Sequence, residues 1–326
     1  MTFRILVTAP RLEAEGLALL TQAGCTVDFV SLAGGRAEME AMLAATPYDA
    51  VISRSIPITG AVMASCPTLR AISRAAVGYD LIDVAGATAQ GIPVLTAVGA
   101  NAQSVAEYSI GLMLAAARNI PRHNALTQAG KWDRTRIGLE LSGRRLGLVG
   151  FGRIARIVAR IAGAIGMRVA AFSPNLVAAG DISPVTRAGS LHDLLRHSDV
   201  VSLHAPMRAA NRHMIGATEL ALLGPDAILV NTARGGLIDE AALAETLREG
   251  RIYGAGLDVL STEPPPPGGN PLVGAPNLVL SPHMGAATTV ARAATALAAA
   301  THALAVLRAA ALPADACVNP AALRPK

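Results

Sequence analysis

Short apolar runs and segments with helical periodicity alternate along this chain from its first residues. Phe3 to Val7 reads as a strand, LEAEGLALLTQAG as a helix with Gly24 just past its end, and Thr26 to Val30 and Asp49 to Ser53 as further strands. LRAISRAAVG and GIPVLTAVG continue the alternation, which predicts a parallel sheet, and this first α/β unit ends near Gly99. A long helix follows from about Ala102 to Arg118, with Asn101 as its amino cap and Val105, Ile110, Leu112 and Met113 on its apolar side. A second alternation begins with LSGRRLGLV. It continues through a helix with Ile157, Val158, Ile161 and Ile165 on one side, then a strand, MRVAAF. Three late apolar runs, Ala227 to Val230, Ala255 to Leu260 and Leu278 to Leu280, precede an Ala-rich helix from about Thr288 to Leu307 that returns the chain to the first unit. Between them PPPPGGNP is a loop, stiff because proline fixes φ.

At 326 residues the chain exceeds what one core organises, so two domains are expected. Hydrophobic residues at 52% and charged residues at 16% fit a globular protein with a large core. The net charge of +5 raises the question of nucleic acid, but the cations are almost all Arg scattered singly, with Lys only at Lys131 and Lys326. Without a basic stripe interleaved with aromatics, no nucleic-acid partner is expected. MTFRILVTAP reads as a first strand, not a signal peptide, and no uninterrupted apolar run reaches membrane-spanning length, so no membrane partner is expected. Cys25, Cys66 and Cys317 are odd in number and widely spaced, which argues against a disulfide framework or a zinc site and points to a reducing cytoplasm.

The chemistry concentrates at turns that follow strands. In LGLVGFGRIA, Gly150, Gly152 and Ala155 match G-x-G-x-x-G/A between a strand and a helix. The first glycine permits the turn, the second lets a pyrophosphate approach the backbone, and the small third residue lets helix and strand pack closely. Glycine turns also serve ordinary packing, so it is the strand, turn and helix order that gives the motif weight. Arg234 in VNTARGG, Glu263 in GLDVLSTEP and His283 in LSPHMGAAT each follow a late apolar run. Each would then stand at the carboxyl edge of a sheet, where open α/β folds keep ligands. A guanidinium for a carboxylate, an imidazole for a hydroxyl proton and an acid to hold the imidazole suit a redox reaction on an α-hydroxy acid. Taken singly, such an Arg is more often a surface ion-pair residue and such a His a structural group.

GLVGFGRIAR, VNTARGGLIDE, GAGLDVLSTEP and SPHMGAAT, with SVAEYSIGLMLAAAR upstream, resemble the signatures of the NAD(P)-dependent D-2-hydroxyacid dehydrogenases, the family of D-3-phosphoglycerate dehydrogenase and the glyoxylate/hydroxypyruvate reductases. The resemblance runs over essentially the whole chain. It implies an α/β fold of two doubly wound parallel-sheet domains. One is a flavodoxin-like substrate domain, discontinuous over 1–99 and 287–326, and the other a Rossmann NAD(P)-binding domain over 100–286. By the same resemblance Arg234 binds the substrate carboxylate and carbonyl oxygen, His283 is the general acid/base and Glu263 bonds the far imidazole nitrogen. The resemblance implies that Val77 and Gly78 in AAVGYD supply backbone amides to the carboxylate, where a plain strand-end turn is the alternative. It implies too that Arg54, Ser55 and Asn101 contact a second anionic group, where Arg54 could equally be a surface or interdomain residue. Gly150, Gly152, Arg153, Ile154, Ser173, His204, Ala205, Pro206, Thr232, Ala233, Asp258, His283 and Gly285 line the cofactor, with Asp258 orienting its carboxamide. A homodimer is implied through the helix at 102–118 and the following KWDR segment.

The chain departs from the family's commoner pattern at Ser173, followed by Pro174 and Asn175, where an acid would hold the ribose hydroxyls of NAD. A hydroxyl repels no ribose phosphate, yet no Arg follows at once to attract one, so NAD and NADP both stay open. The expected function is hydride transfer between NAD(P) and a D-2-hydroxy acid/2-oxo acid pair, with D-3-phosphoglycerate dehydrogenase as a narrower alternative. A non-catalytic, nucleotide-sensing corepressor-like protein is the alternative from another class. Formate oxidation is disfavoured because formate dehydrogenases of this fold pair the His with Gln, and phosphite oxidation is harder to exclude. With the chain ending at ALRPK soon after its last helix, no appended regulatory domain is expected.

Overall fold

The computed structural model describes residues 2–174, 176 and 180–323. The chain divides into two compact units, residues 1–101 with 287–326, and residues 102–286. In the first, β1 (Arg4–Val7), α1 (Ala14–Gln22), β2 (Thr26–Phe29), α2 (Gly35–Ala45), β3 (Ala50–Ser53), α3 (Gly60–Ala64), β4 (Ala71–Arg74), α4 (Val84–Ala89) and β5 (Val94–Thr96) alternate. The second runs α5 (Ala102–Ala117), α6 (Ile120–Gln128), β6 (Arg145–Val149), α7 (Arg153–Ala164), β7 (Arg168–Phe172), β8 (Thr186–Arg187), α8 (Leu191–Arg196), β9 (Val200–Leu203), α9 (Ala217–Leu220), β10 (Ile228–Asn231), α10 (Glu240–Arg248), β11 (Gly254–Leu257) and β12 (Leu278–Leu280). A last helix, α11 (Thr289–Leu307), belongs to the first unit.

Both sheets are parallel. The first has the order β2-β1-β3-β4-β5, that of flavodoxin-like sheets, and the second β12-β11-β10-β9-β6-β7-β8, a dinucleotide-binding order with one added strand. Strands such as AVIS and ILVN are buried along their whole length, as strands covered by helices on both faces must be. Each sheet accordingly has two apolar clusters. In the second unit one gathers Ile110, Met113, Leu148 and Val158, and the other Leu195, Leu203, Leu229 and Leu243.

The residue pattern predicted most of these elements, with three local differences. α1 starts at Ala14, later than LEAEGL implied, with Glu13 preceding it in extended conformation. Asn101 does not cap α5: its Oδ1 is buried and has no hydrogen-bond partner among the described residues. The buried side of α7 is Ala155, Val158, Ala159 and Ala162; Ile157 and Ile161 only flank the core, and Ile165, past the helix end, is 38% exposed. Small residues there suit close packing, and α7 packs on α5 more extensively than on β6 or β7. By length and mean hydropathy α11 would pass for a membrane span, but Arg292 and His302 interrupt its apolar run and half of it is buried within the protein. Its apolar side, Ala296, Ala299, Ala300, Ala303 and Leu304, shares a core cluster with Ile5, Ile52 and Leu95, which accounts for its composition.

Candidate active site

In the second unit β10, β11 and β12 lie side by side, with Asn231 paired to Leu257 and Leu257 to Leu280. The strands therefore run out at one level. The pairing extends one residue further, as Asp258 N donates to Asn231 O at 2.9 Å and Ser281 N to Leu257 O at 3.0 Å. Three loops leave this edge, carrying Arg234, Glu263 and His283.

The His283 imidazole bonds Glu263 through Nδ1 and Oε2 at 2.7 Å. The other Glu263 oxygen, Oε1, accepts the Leu260 amide at 2.9 Å, so the acid is fixed to its own loop before it meets the imidazole. His283 Nε2 makes no hydrogen bond among the described residues, and the side chain is half exposed. The backbone of His283 is left-handed, φ 57°, a conformation side chains adopt rarely and under constraint. The constraint is Asp258, 1% exposed. Its Oδ1 accepts Ser281 Oγ and Met284 N, and its Oδ2 accepts Gly285 N, all at 2.7 Å. Both oxygens of Asp258 thus hold the His283 loop, a use the residue pattern gave no sign of.

Arg234 follows a turn organised by Asn231, which is fully buried. Asn231 Oδ1 accepts Ala233 N at 2.9 Å and Nδ2 donates to Arg234 O at 2.8 Å. Thr232 and Ser109 hydroxyls lie 2.7 Å apart, which ties this turn to α5. Arg234 Nη1 donates to Ala233 O at 2.6 Å. Gly235 packs on the loop that carries Glu263: a Cβ there would stand 1.9 Å from the Leu260 carbonyl carbon. The Arg234 and Glu263 loops are therefore interlocked at backbone level.

At the other end of the second sheet's motif, Gly150 has φ 90° and lies against the His204 carbonyl, where a Cβ would come within 2.8 Å. Gly150 N donates to Phe172 O and His204 N to Val149 O, both at 2.7 Å. Gly152 differs: among the described residues nothing stands within 4 Å of where its Cβ would be, so their packing does not require a glycine there. α7, 12 residues long, starts at Arg153 with no side-chain cap and no acid in its first turn. Open space before an uncapped helix amino terminus fits the diphosphate of a dinucleotide. Arg153 is exposed and Ile154 partly buried, while Ala155 is fully buried. Burial pushes the His204 imidazole down to about 4, so it is neutral, and its Nε2 meets Ser202 Oγ at 2.9 Å. Ala205 and Pro206 continue this turn, half-buried and exposed. Ser173 comes directly after β7 and is partly buried; Asn175 lies outside the described residues.

Of the substrate contacts expected in the first unit, Arg54 has a side-chain partner of its own. Arg54 Nη1 donates to Glu13 Oε2 at 2.8 Å, and Arg292 Nε to Glu13 Oε1 at 2.8 Å. Burial alone would raise the Glu13 carboxyl, but the two guanidiniums outweigh it and hold it below the ordinary range. Ser55 is exposed. The Val77 and Gly78 amides donate to no backbone carbonyl among the described residues, as donors kept for a ligand would. Arg74 bonds the Gly78 carbonyl, the Arg54 carbonyl and Ser53 Oγ, so it fixes both loops. Glu13, Arg74 and Arg292 were not foreseen; for Arg292 a signal, a single charge inside an apolar segment, was present in the residue order. No group of three or more potential metal ligands occurs among the described residues.

Residues 110–285 match the family model described as D-isomer specific 2-hydroxyacid dehydrogenase, NAD binding domain. The chain belongs to this family. It is 41% identical over 292 residues to D-3-phosphoglycerate dehydrogenase of Methanocaldococcus jannaschii, a match covering 89% of this chain and 54% of that protein. The chain thus spans about half the length of that relative. It is also 41% identical to hydroxypyruvate reductase of Thermotoga maritima, over 74% of this chain and 79% of the other. Among solved structures, the NADPH-dependent glyoxylate/hydroxypyruvate reductase of Sinorhizobium meliloti in complex with citrate superposes with a TM-score of 0.82 at 29% identity, covering 98% of this chain and 99% of that one.

Proposed function

We propose that the protein is an oxidoreductase that transfers a hydride between NAD(P) and a D-2-hydroxy acid/2-oxo acid pair. The observation that carries this reading is the 2.7 Å contact of His283 Nδ1 with Glu263, which leaves Nε2 open, on the sheet edge that also bears Arg234. Bound NAD(P) supplies or accepts the hydride. In reduction, Nε2 of protonated His283 gives its proton to the oxygen of the 2-oxo group, and in oxidation the neutral ring takes the hydroxyl proton. Glu263 accepts from Nδ1–H, which fixes the tautomer that keeps Nε2 for the substrate. The Arg234 guanidinium pairs with the acid's carboxylate. The open Gly152, the uncapped start of α7 and the neutral turn at His204 to Pro206 hold the dinucleotide, with Thr232, Ala233, Asp258 and Gly285 along its path.

With Ser173 in place of an acid the ribose pocket carries no repelling charge, so we assign comparable use of NAD and NADP. The name of the Sinorhizobium relative, an NADPH-dependent enzyme, favours keeping NADP in the reading. Relatives of equal identity carry phosphoglycerate and hydroxypyruvate in their names, so overall similarity does not choose the acid. A second anion on the substrate is assigned to Arg54, with Ser55 and Asn101. We further assign a cytoplasmic homodimer: Trp132 and Ile137, after α6, are 81% and 83% exposed, and the three cysteines are free.

The test is absorbance at the reduced nicotinamide band with NADH and NADPH, offering glyoxylate, hydroxypyruvate, phosphohydroxypyruvate and 2-oxoglutarate. Turnover that disappears in His283→Ala while cofactor still binds is the expected result. Cofactor binding with no turnover of any 2-oxo acid would instead favour a nucleotide-sensing role.

A further inference from the structure

Glu240, the first residue of α10, is a carboxylate only 9% exposed. Burying an ionised carboxylate is costly unless its oxygens are bonded, and both are: Oε1 accepts the Ser261 amide at 2.5 Å and Oε2 accepts Asn270 Nδ2 at 3.0 Å. Neither contact serves α10 itself, whose amino end is capped by Asp239 through the Ala241 and Ala242 amides, both at 3.1 Å. The helix amino terminus favours the negative charge. What Glu240 binds is the two ends of one segment, and Glu263 lies between them.

The prolines at 264–267 and a turn bond from Gly269 N to Pro266 O at 3.0 Å stiffen the segment internally, but they do not anchor it to the rest of the unit. Residues 261–269 are all exposed and Asn270 is only partly buried, so burial contributes little to its conformation. Asn270 is anchored on its far side, where Oδ1 accepts the Leu272 amide at 2.9 Å. At the near end, the peptide joining Leu260 to Ser261 is gripped twice, by Glu240 on its N–H and by the close approach of Gly235 to its carbonyl. The preceding amide, Leu260 N, is the one Glu263 uses to fix its own Oε1.

We propose that Glu240 is a positioning residue for proton transfer: it clamps both ends of the loop that carries Glu263 and so sets the Glu263–His283 hydrogen bond. Its consequence for rate rests on the dehydrogenase reading above; its consequence for the hydrogen bond does not. A displacement of about 1 Å at such a site costs on the order of 100-fold in rate.

The experiment is a double-mutant cycle of Glu240→Ala and Glu263→Gln, read as kcat, substrate KM and NADH dissociation constant. Expected is a fall in kcat of about 10- to 100-fold for Glu240→Ala with NADH affinity within about twofold, and little further loss when Glu263→Gln is already present. Glu240→Gln, which keeps an acceptor for the Ser261 amide, restores most of the rate. Asn270→Ala, which releases one end only, gives an intermediate loss and serves if Glu240→Ala does not fold. Without turnover, the low-field proton resonance of His283 Nδ1–H, identified by its absence in His283→Gln, reads the same geometry and is expected to weaken or shift in Glu240→Ala. A resonance lost in that variant of a protein that reduces no 2-oxo acid would sink the dehydrogenase reading and keep the clamp. An unchanged resonance, or losses that simply multiply across the cycle, overturns the clamp.

Discussion

Gly235 and Leu260 meet through their backbones, so close that a methyl group on Gly235 would lie 1.9 Å from the Leu260 carbonyl carbon and 2.2 Å from its oxygen. No rotamer relieves this, because both atoms are main chain. Through this contact the turn that presents Arg234 and the loop that presents Glu263 are placed by one another.

Gly235→Ala is therefore expected to abolish activity, even though no bond to substrate or cofactor is removed. Overpacking costs about 1–3 kcal/mol, and a backbone collision of this size lies at or beyond the upper end. Thermal unfolding together with kcat/KM checks it: a folded variant of near-normal activity would show that the two loops move independently.

Glu263→Gln keeps the size of the side chain and removes its charge. Loss of general acid–base assistance is worth about 100- to 10,000-fold, and this change weakens that assistance without removing His283, so a fall of at least about 10-fold in kcat is expected with cofactor affinity retained. Steady-state kinetics beside a cofactor titration separate the two effects.

The neutral His204 makes stability depend on pH. Its folded value of about 4 lies below the ordinary 6.5, so the unfolded chain binds the proton more readily. Stability is full above about pH 6.5 and is lost as pH falls from there through about 4, by up to about 3 kcal/mol. Urea unfolding at several pH values should show this slope in the parent and a shallower one in His204→Gln.

Glu13 acts in a lower window. Its depressed carboxyl contributes stability that is present above the ordinary carboxylate range and lost as pH falls through its folded value. Its side chain is 17% exposed and its partners Arg54 and Arg292 21% and 41%, so solvent screens the triad and Glu13→Gln is expected to cost only about 1–2 kcal/mol. The same variant frees Arg54. Rates for dianionic acids relative to glyoxylate should then change, as they should in Arg54→Ala; unchanged ratios in both would exclude a substrate anion at Arg54.

Ser173→Asp places a carboxylate at the end of β7. NADPH use is expected to fall at least about 10-fold relative to NADH, since bringing like charges together near the surface costs more than 1 kcal/mol. Equal loss with both cofactors would show that the ribose lies elsewhere.

What the residue order determined was local. Gly150, Gly152 and Ala155 between strand and helix, and Arg234, Glu263 and His283 after three apolar runs, are legible because a strand, its turn and the next residues are decided within about ten positions. Parallel pairing then carries those turns to one edge, since buried strands read as continuous apolar runs. Tertiary structure decided the partners over longer separations. Glu13 finds Arg54 and Arg292, 41 and 279 residues away, and Glu240 finds Ser261 and Asn270, 21 and 30 residues away. It also decided that Asp258 holds the His283 loop and that Asn101 caps nothing. A charged side chain carries no record in the sequence of which opposite charge or amide the fold will bring to it. Its partner depends on strand order and helix placement, which are settled by the packing of the whole sheet.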